Sequence, residues 1–133
     1  MRKYIASAFA LIVSLQLSAS APLWLRDARI SPDGTRIAFC YKGDIYTVPS
    51  NGGAATRLTS LPSYEQTPFW SPDGKLIAFA SDRFGSSDIF VIPSEGGSPT
   101  RLTFNSAAET PLCFSPDGKN VWFSANIQNP AAS

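Results

Sequence analysis

Histidine is absent from the 133 residues. That absence removes imidazole general bases, histidine-centred triads and imidazole metal ligands together. Charge of either sign is sparse, with 16% charged residues and a formal net charge of +1. Binding to phosphate backbones needs a basic field, so nucleic acid is not an expected partner. Cysteine occurs only twice, at Cys40 and Cys113. An exported chain could pair them. The repeat described below, however, sets them on non-equivalent strands of different units, and disulfide geometry is narrow. They are read as buried thiols acting as small apolar residues. Beyond residue 21 no helical apolar period occurs. No phosphate loop is present either. Gly52–Gly53 and Gly96–Gly97 lack the following Lys-Ser/Thr and the helix such loops open. No sequence context supports a Ser-Lys pair, and nothing signals a metal or cofactor.

What the chain has in plenty is turn formers, eleven prolines and nine glycines. At 44% hydrophobic residues it is otherwise an ordinary globular composition. The first 21 residues differ from the rest. Arg2 and Lys3 precede an apolar run from Tyr4 to Leu17, and small residues follow at Ser18–Ala21. This is the layout of a secretory signal peptide, with cleavage expected near Ala19–Ala21. The run is short for a membrane span, although an uncleaved anchor is the alternative. Removal would leave nine basic and ten acidic side chains. The expectation is an exported chain, periplasmic or secreted, with no membrane contact after cleavage.

The chain repeats itself. The tetrapeptide SPDG stands at Ser31–Pro32–Asp33–Gly34, at Ser71–Pro72–Asp73–Gly74 and at Ser115–Pro116–Asp117–Gly118, spacings of 40 and 44. DIYTVPSNGG from Asp44 matches DIFVIPSEGG from Asp88, and TRLT recurs at 56–59 and 100–103. Thirteen residues separate Asp44 from Arg57 and also Asp88 from Arg101. The whole change of period is a four-residue insertion, where CYKG becomes ASDRFGSS. Registered copies with length change confined to one loop define a structural unit. Pro at the second turn position presets φ, Ser and Asp cap local backbone groups, and Gly tolerates the exit. Runs of Ile, Phe, Val and Tyr between turns read as strands. They are expected near 26–30, 36–41, 44–48 and 55–59, then 67–71, 75–80, 88–92 and 99–103, then 110–114 and 119–124. Four short antiparallel strands per 40–45 residues make a β-propeller blade. The fold class is therefore all-β, a partial β-propeller of four-stranded antiparallel blades. Residues 1–21 are the signal peptide and 22–133 the incomplete propeller, with blades at about 24–60, 64–104 and 108–133.

The string FWSPDGKLIAF, with D-I-Y/F, GG and RLT following, resembles the bacterial propeller repeat of TolB and of the first propeller of tricorn-type proteases. The resemblance covers about 26–124. TolB carries an α/β domain before its propeller, for which no room exists here. A tricorn-like protease is therefore preferred. The resemblance implies a non-catalytic propeller segment of an exported serine peptidase, gating or recognising peptides, with its catalytic residues elsewhere. The rivals are a TolB-like interaction propeller and a propeller serving another exported hydrolase. Expected partners are a peptide or protein and the remaining blades of the same propeller, since a ring needs about four to eight. An isolated piece would expose an apolar face and an unpaired edge.

Most tempting side chains have structural readings. Asp33, Asp73 and Asp117 are turn caps, and Asp44 and Asp88 open third strands. Glu65 and Glu109 occupy equivalent places and are expected to pair with Arg57 or Arg101 rather than line a channel mouth. Trp24, Trp70 and Trp122 read as core or inter-blade packing. The inserted loop Ser81–Ser87, with Arg83 and Phe84, is the best local candidate for recognition.

Overall fold

The computed structural model describes residues 24–126, so the expected signal peptide lies outside the described residues. Every regular element there is a strand: β1 Leu25–Ile30, β2 Arg36–Tyr41, β3 Asp44–Pro49, β4 Thr56–Arg57, β5 Glu65–Trp70, β6 Leu76–Ser81, β7 Asp88–Pro93, β8 Thr100–Arg101, β9 Glu109–Phe114 and β10 Val121–Ala125. They form two four-stranded antiparallel sheets in sequence order, β1–β4 and β5–β8, and a two-stranded third sheet of β9 and β10. The repeat thus becomes sheet after sheet of one design.

Each SPDG sits at the corner between the first and second strands of its sheet. In the first, Ser31 N–H donates to Arg36 C=O at 2.8 Å and Gly34 N–H to Ser31 C=O at 2.9 Å. The glycine must adopt φ of +70° to +74° in all three copies, a region that disfavours side chains. The next turn stacks close by. A Cβ on Gly118 would lie 3.6 Å from Pro72 Cδ, so the SPDG corners of the second and third sheets stack.

The second and third strands of each full sheet carry the core. Ala38, Phe39 and Cys40 are buried in β2, and Ile77 to Ser81 are buried without a break in β6. Such continuous runs fit strands covered on both faces. Phe79 and Phe90 stack across β6 and β7 with ring centroids 5.8 Å apart. Each large side chain buried this way contributes about 1.5–3 kcal/mol.

The fourth strands are shorter than expected, two residues rather than five. The cause is the last threonine of TRLT. Ile45 N–H donates to Thr59 Oγ1 at 2.9 Å, and Ile89 N–H to Thr103 Oγ1 at 2.9 Å. A hydroxyl replaces a backbone carbonyl in the ladder, and the strand ends there. First strands carry irregularities too. The β1–β2 register shifts between Arg26 and Arg29, and β5–β6 shifts between Gln66 and Phe69. Asp27 and Thr67, inside those bulges, have φ of +53° and +56°. For β-branched Thr67 that is a strained conformation.

The sheets pack side by side. β5 lies against β1, β2 and β3 of the first sheet, and β9 against β5, β6 and β7 of the second. Trp70 is buried in the first seam and its Nε1–H donates to Arg29 C=O at 2.9 Å. Glu65 N–H donates to Gly43 C=O at 2.8 Å, and one sheet further Glu109 N–H donates to Ser87 C=O at 2.8 Å. The same seam is thus made twice with equivalent residues.

Candidate functional site

The recurring acidic residues are spread along the stack, one to a sheet. Asp33, Asp73 and Asp117 each cap their own corner. Ser31, Ser71 and Ser115 hydroxyls donate to them at 2.6 Å, and the backbone N–H of Thr35, Lys75 and Lys119 at 3.0–3.1 Å. The serine hydroxyl hydrogen bond, followed by the backbone one, holds each carboxyl below its ordinary value of 3.8.

The recurring thirteen-residue spacing is an ion pair. Arg57 Nη2 meets Asp44 Oδ2 at 2.7 Å, and Arg101 Nη2 meets Asp88 Oδ2 at 2.8 Å. The second contact is an ion pair without hydrogen-bond alignment, because both Asp88 oxygens lack a hydrogen-bond donor. The two pairs differ in burial, with Arg57 47% exposed at its side chain and Arg101 23%.

Glu65 and Glu109 are fully buried and take different partners from those expected. Arg57 and Arg101 are engaged with the aspartates. Glu65 Oε1 instead meets Arg83 Nη2 at 2.6 Å, and also accepts from Ser63 Oγ at 2.7 Å. Glu109 Oε1 accepts from Asn105 Nδ2 at 2.9 Å. Spacing could not foresee this, because Arg83 belongs to the insertion that only the second unit carries.

The insertion Ser81–Ser87 splits its two notable residues. Arg83 turns inward, its side chain only 10% exposed, over the Phe90 ring at 4.5 Å. Phe84 stays outside at 63% exposure and stacks on Phe90 with centroids 6.2 Å apart. The tryptophans divide as well. Trp70 packs in a seam, while Trp24 and Trp122 are 59% and 56% exposed. Trp24 directly precedes β1 of the first sheet and Trp122 lies in β10 of the third.

Both cysteines are free thiols. Cys40 is buried, and burial, with Asp27 adding to it, pushes its pKa up to about 12. Cys113 is half-buried. Among the described residues no group of three or more Cys, Asp or Glu is placed to hold a metal ion.

One cavity stands out. It measures about 470 Å³ and lies where the first two sheets meet, bordered by Trp24, Arg26, Cys40, Lys42, Gly43 and Tyr64. Sequence reasoning did not single out Arg26, Lys42 or Tyr64. No motif marks them, because the repeat carries different residues at the matching places.

Three solved structures share this arrangement. A structure assigned as TolB from Agrobacterium tumefaciens matches 75% of this chain and 39% of its own, with a TM-score of 0.67 and 31% identity. TolB from Acinetobacter baumannii matches 81% of this chain and 27% of its own, with a TM-score of 0.62 and 28% identity. The tricorn protease matches 76% of this chain and 11% of its own, with a TM-score of 0.65 and 24% identity, a likeness of fold. Among curated proteins, the uncharacterized peptidase YuxL of Bacillus subtilis (strain 168) is 43% identical over 56 residues, 38% of this chain and 8% of that protein. The chain therefore spans a small part of the relatives it matches. A family model described as the tricorn protease N-terminal β-propeller domain matches residues 22–133. The chain belongs to that family of β-propellers.

Proposed function

We propose that the chain is a non-catalytic segment of a β-propeller in an exported, tricorn-like serine peptidase, where it recognises or gates peptides on their way to an active site elsewhere. The observation that carries this reading is the family match over the whole repeat region, joined to a stack of equivalent antiparallel sheets. A stack of this kind positions loops and leaves the chemistry to another part of the protein. The likeness to a peptidase over one segment supports the parent activity. The signal-like start supports export.

The TolB structures favour a second reading, a periplasmic propeller that binds envelope proteins and catalyses nothing. A propeller of another exported hydrolase is the third. One experiment separates them. The natural reading frame is expressed in its host, and the mature protein is recovered by fraction and tested for hydrolysis of a fluorogenic peptide. The reading predicts an exported protein with an N-terminus near Pro22 and a serine-reagent-sensitive peptidase activity. An exported protein without hydrolysis that captures envelope proteins favours the TolB-like reading. A cytoplasmic protein with an intact N-terminus overturns export.

A further inference from the structure

The two ends of the sheets differ in chemistry, and connectivity fixes which residues share an end. β1 runs toward Ser31, so the SPDG and Gly-Gly turns lie at one end. Trp24, the β2–β3 and β6–β7 loops and the β4–β5 and β8–β9 connections lie at the other. At this second end large apolar side chains stand in water. Tyr64 is 45% exposed, Trp24 59%, Phe84 63% and Phe104 73%. Among the described residues, none of the exposed large apolar side chains falls in the SPDG or Gly-Gly turns. Single exposed apolar residues are ordinary, but a set gathered at one end is a patch.

These rings are held in place. The Arg101 guanidinium lies 4.5 Å from the Phe84 ring centroid and 4.6 Å from that of Phe104, so it is sandwiched between them. Tyr64 packs so closely on Gly43 that a Cβ there would come within 3.2 Å of Tyr64 Cδ2. Rings ordered in advance lose less freedom when a partner arrives.

The two charged side chains that border the cavity at this end are both cations. Arg26 and Lys42 border the cavity between the first two sheets. Neither meets a carboxylate within 4.0 Å among the described residues. Two nearby carboxylates are exposed and stay charged, each tied to a backbone amide. Asp82 accepts from Tyr64 N–H at 2.7 Å, and Asp27 Oδ2 accepts from Thr67 N–H at 3.3 Å. Glu65 and Glu109 are wholly buried.

We propose that this end is the docking surface for an extended peptide in which apolar side chains alternate with carboxylates. Phe84 and Phe104 take the apolar side chains, and Arg26 and Lys42 take a carboxylate beside Trp24 and Tyr64. The inference rests on the peptide-recognition reading above and adds the end of the sheets and the class of peptide.

Fluorescence anisotropy on the full chain tests it. Two labelled peptides of equal length are titrated, one alternating Leu and Glu, the other Leu and Lys. The Leu-Glu peptide should bind about tenfold tighter, with the difference shrinking at high salt. Lys42→Glu and Phe104→Ala should each weaken it about fivefold or more. Lys75→Glu, at the SPDG end, should leave it unchanged. Circular dichroism and thermal melting establish that each variant is folded. Equal binding of both peptides overturns the proposal, and so does a loss at Lys75→Glu matching that at Lys42→Glu; either result spares the broader reading. A folded chain that binds neither peptide overturns both.

Discussion

At the residue scale, burial decides which of several similar groups matters. Cys40 and Cys113 are the only thiols, yet only Cys113 is half open to solvent. Thiolate is the reactive form, and Cys40 carries a pKa of about 12. A maleimide at pH 8 should label Cys113 in the native chain and spare Cys40 until denaturant is added. Mass spectrometry of the labelled peptides checks this. The ion pairs divide in the same manner. Arg83→Ala leaves Glu65 buried without its cation and should destabilise by about 3–5 kcal/mol. Arg57→Ala removes a half-exposed partner and should remove about 1 kcal/mol. Urea melts of the two variants give the comparison, and equal losses would show that burial is not the deciding variable. The equal spacing from Asp44 to Arg57 and from Asp88 to Arg101 was legible in the sequence. The partner of Glu65 was not, because a contact made across a loop leaves no period to read.

At the element scale, the corners and strands were legible because each is built from local chemistry. SPDG specifies its own turn, with the serine and aspartate capping backbone groups and the glycine at positive φ. The ends of the fourth strands were not, because Thr59 and Thr103 end the ladder through a hydroxyl rather than a breaker residue. Nor were the bulges at Asp27 and Thr67: aspartate tolerates positive φ, but β-branched threonine does not, and no glycine marks either place. The corners also predict a pH response. Each capping aspartate has a folded value below its ordinary 3.8. Its contribution is complete above the unfolded value and is lost as pH falls through the lowered folded value. Between those limits the urea midpoint of the native chain should fall as acid is added. Asp73→Asn removes one of the three titrating corners, so its midpoint should fall less steeply over the same window.

At the scale of the whole molecule, the repeat supplies its own reference for what is uncovered. Ile30 is 63% exposed where its counterpart in the second sheet, Trp70, is buried. Trp122 and Phe123 are 56% and 39% exposed where Ala78 and Phe79 are wholly buried. Which side chains the described sheets leave uncovered became clear only with the seams. The aromatic and cationic end escaped sequence reading for a related reason. Its residues come from four separate connections and the start of β1, which only the stacking brings to one side.

Equivalent sheets stack in series, and among the described residues the second is covered on both faces and the outer two are each bare on one. Amide hydrogen exchange across the chain measures this directly. Serial stacking should give the strongest protection in β6 and β7, weaker protection in β2 and β3, and the least in β1 and β10. Uniform protection, or β1 and β10 as protected as β6, would contradict it.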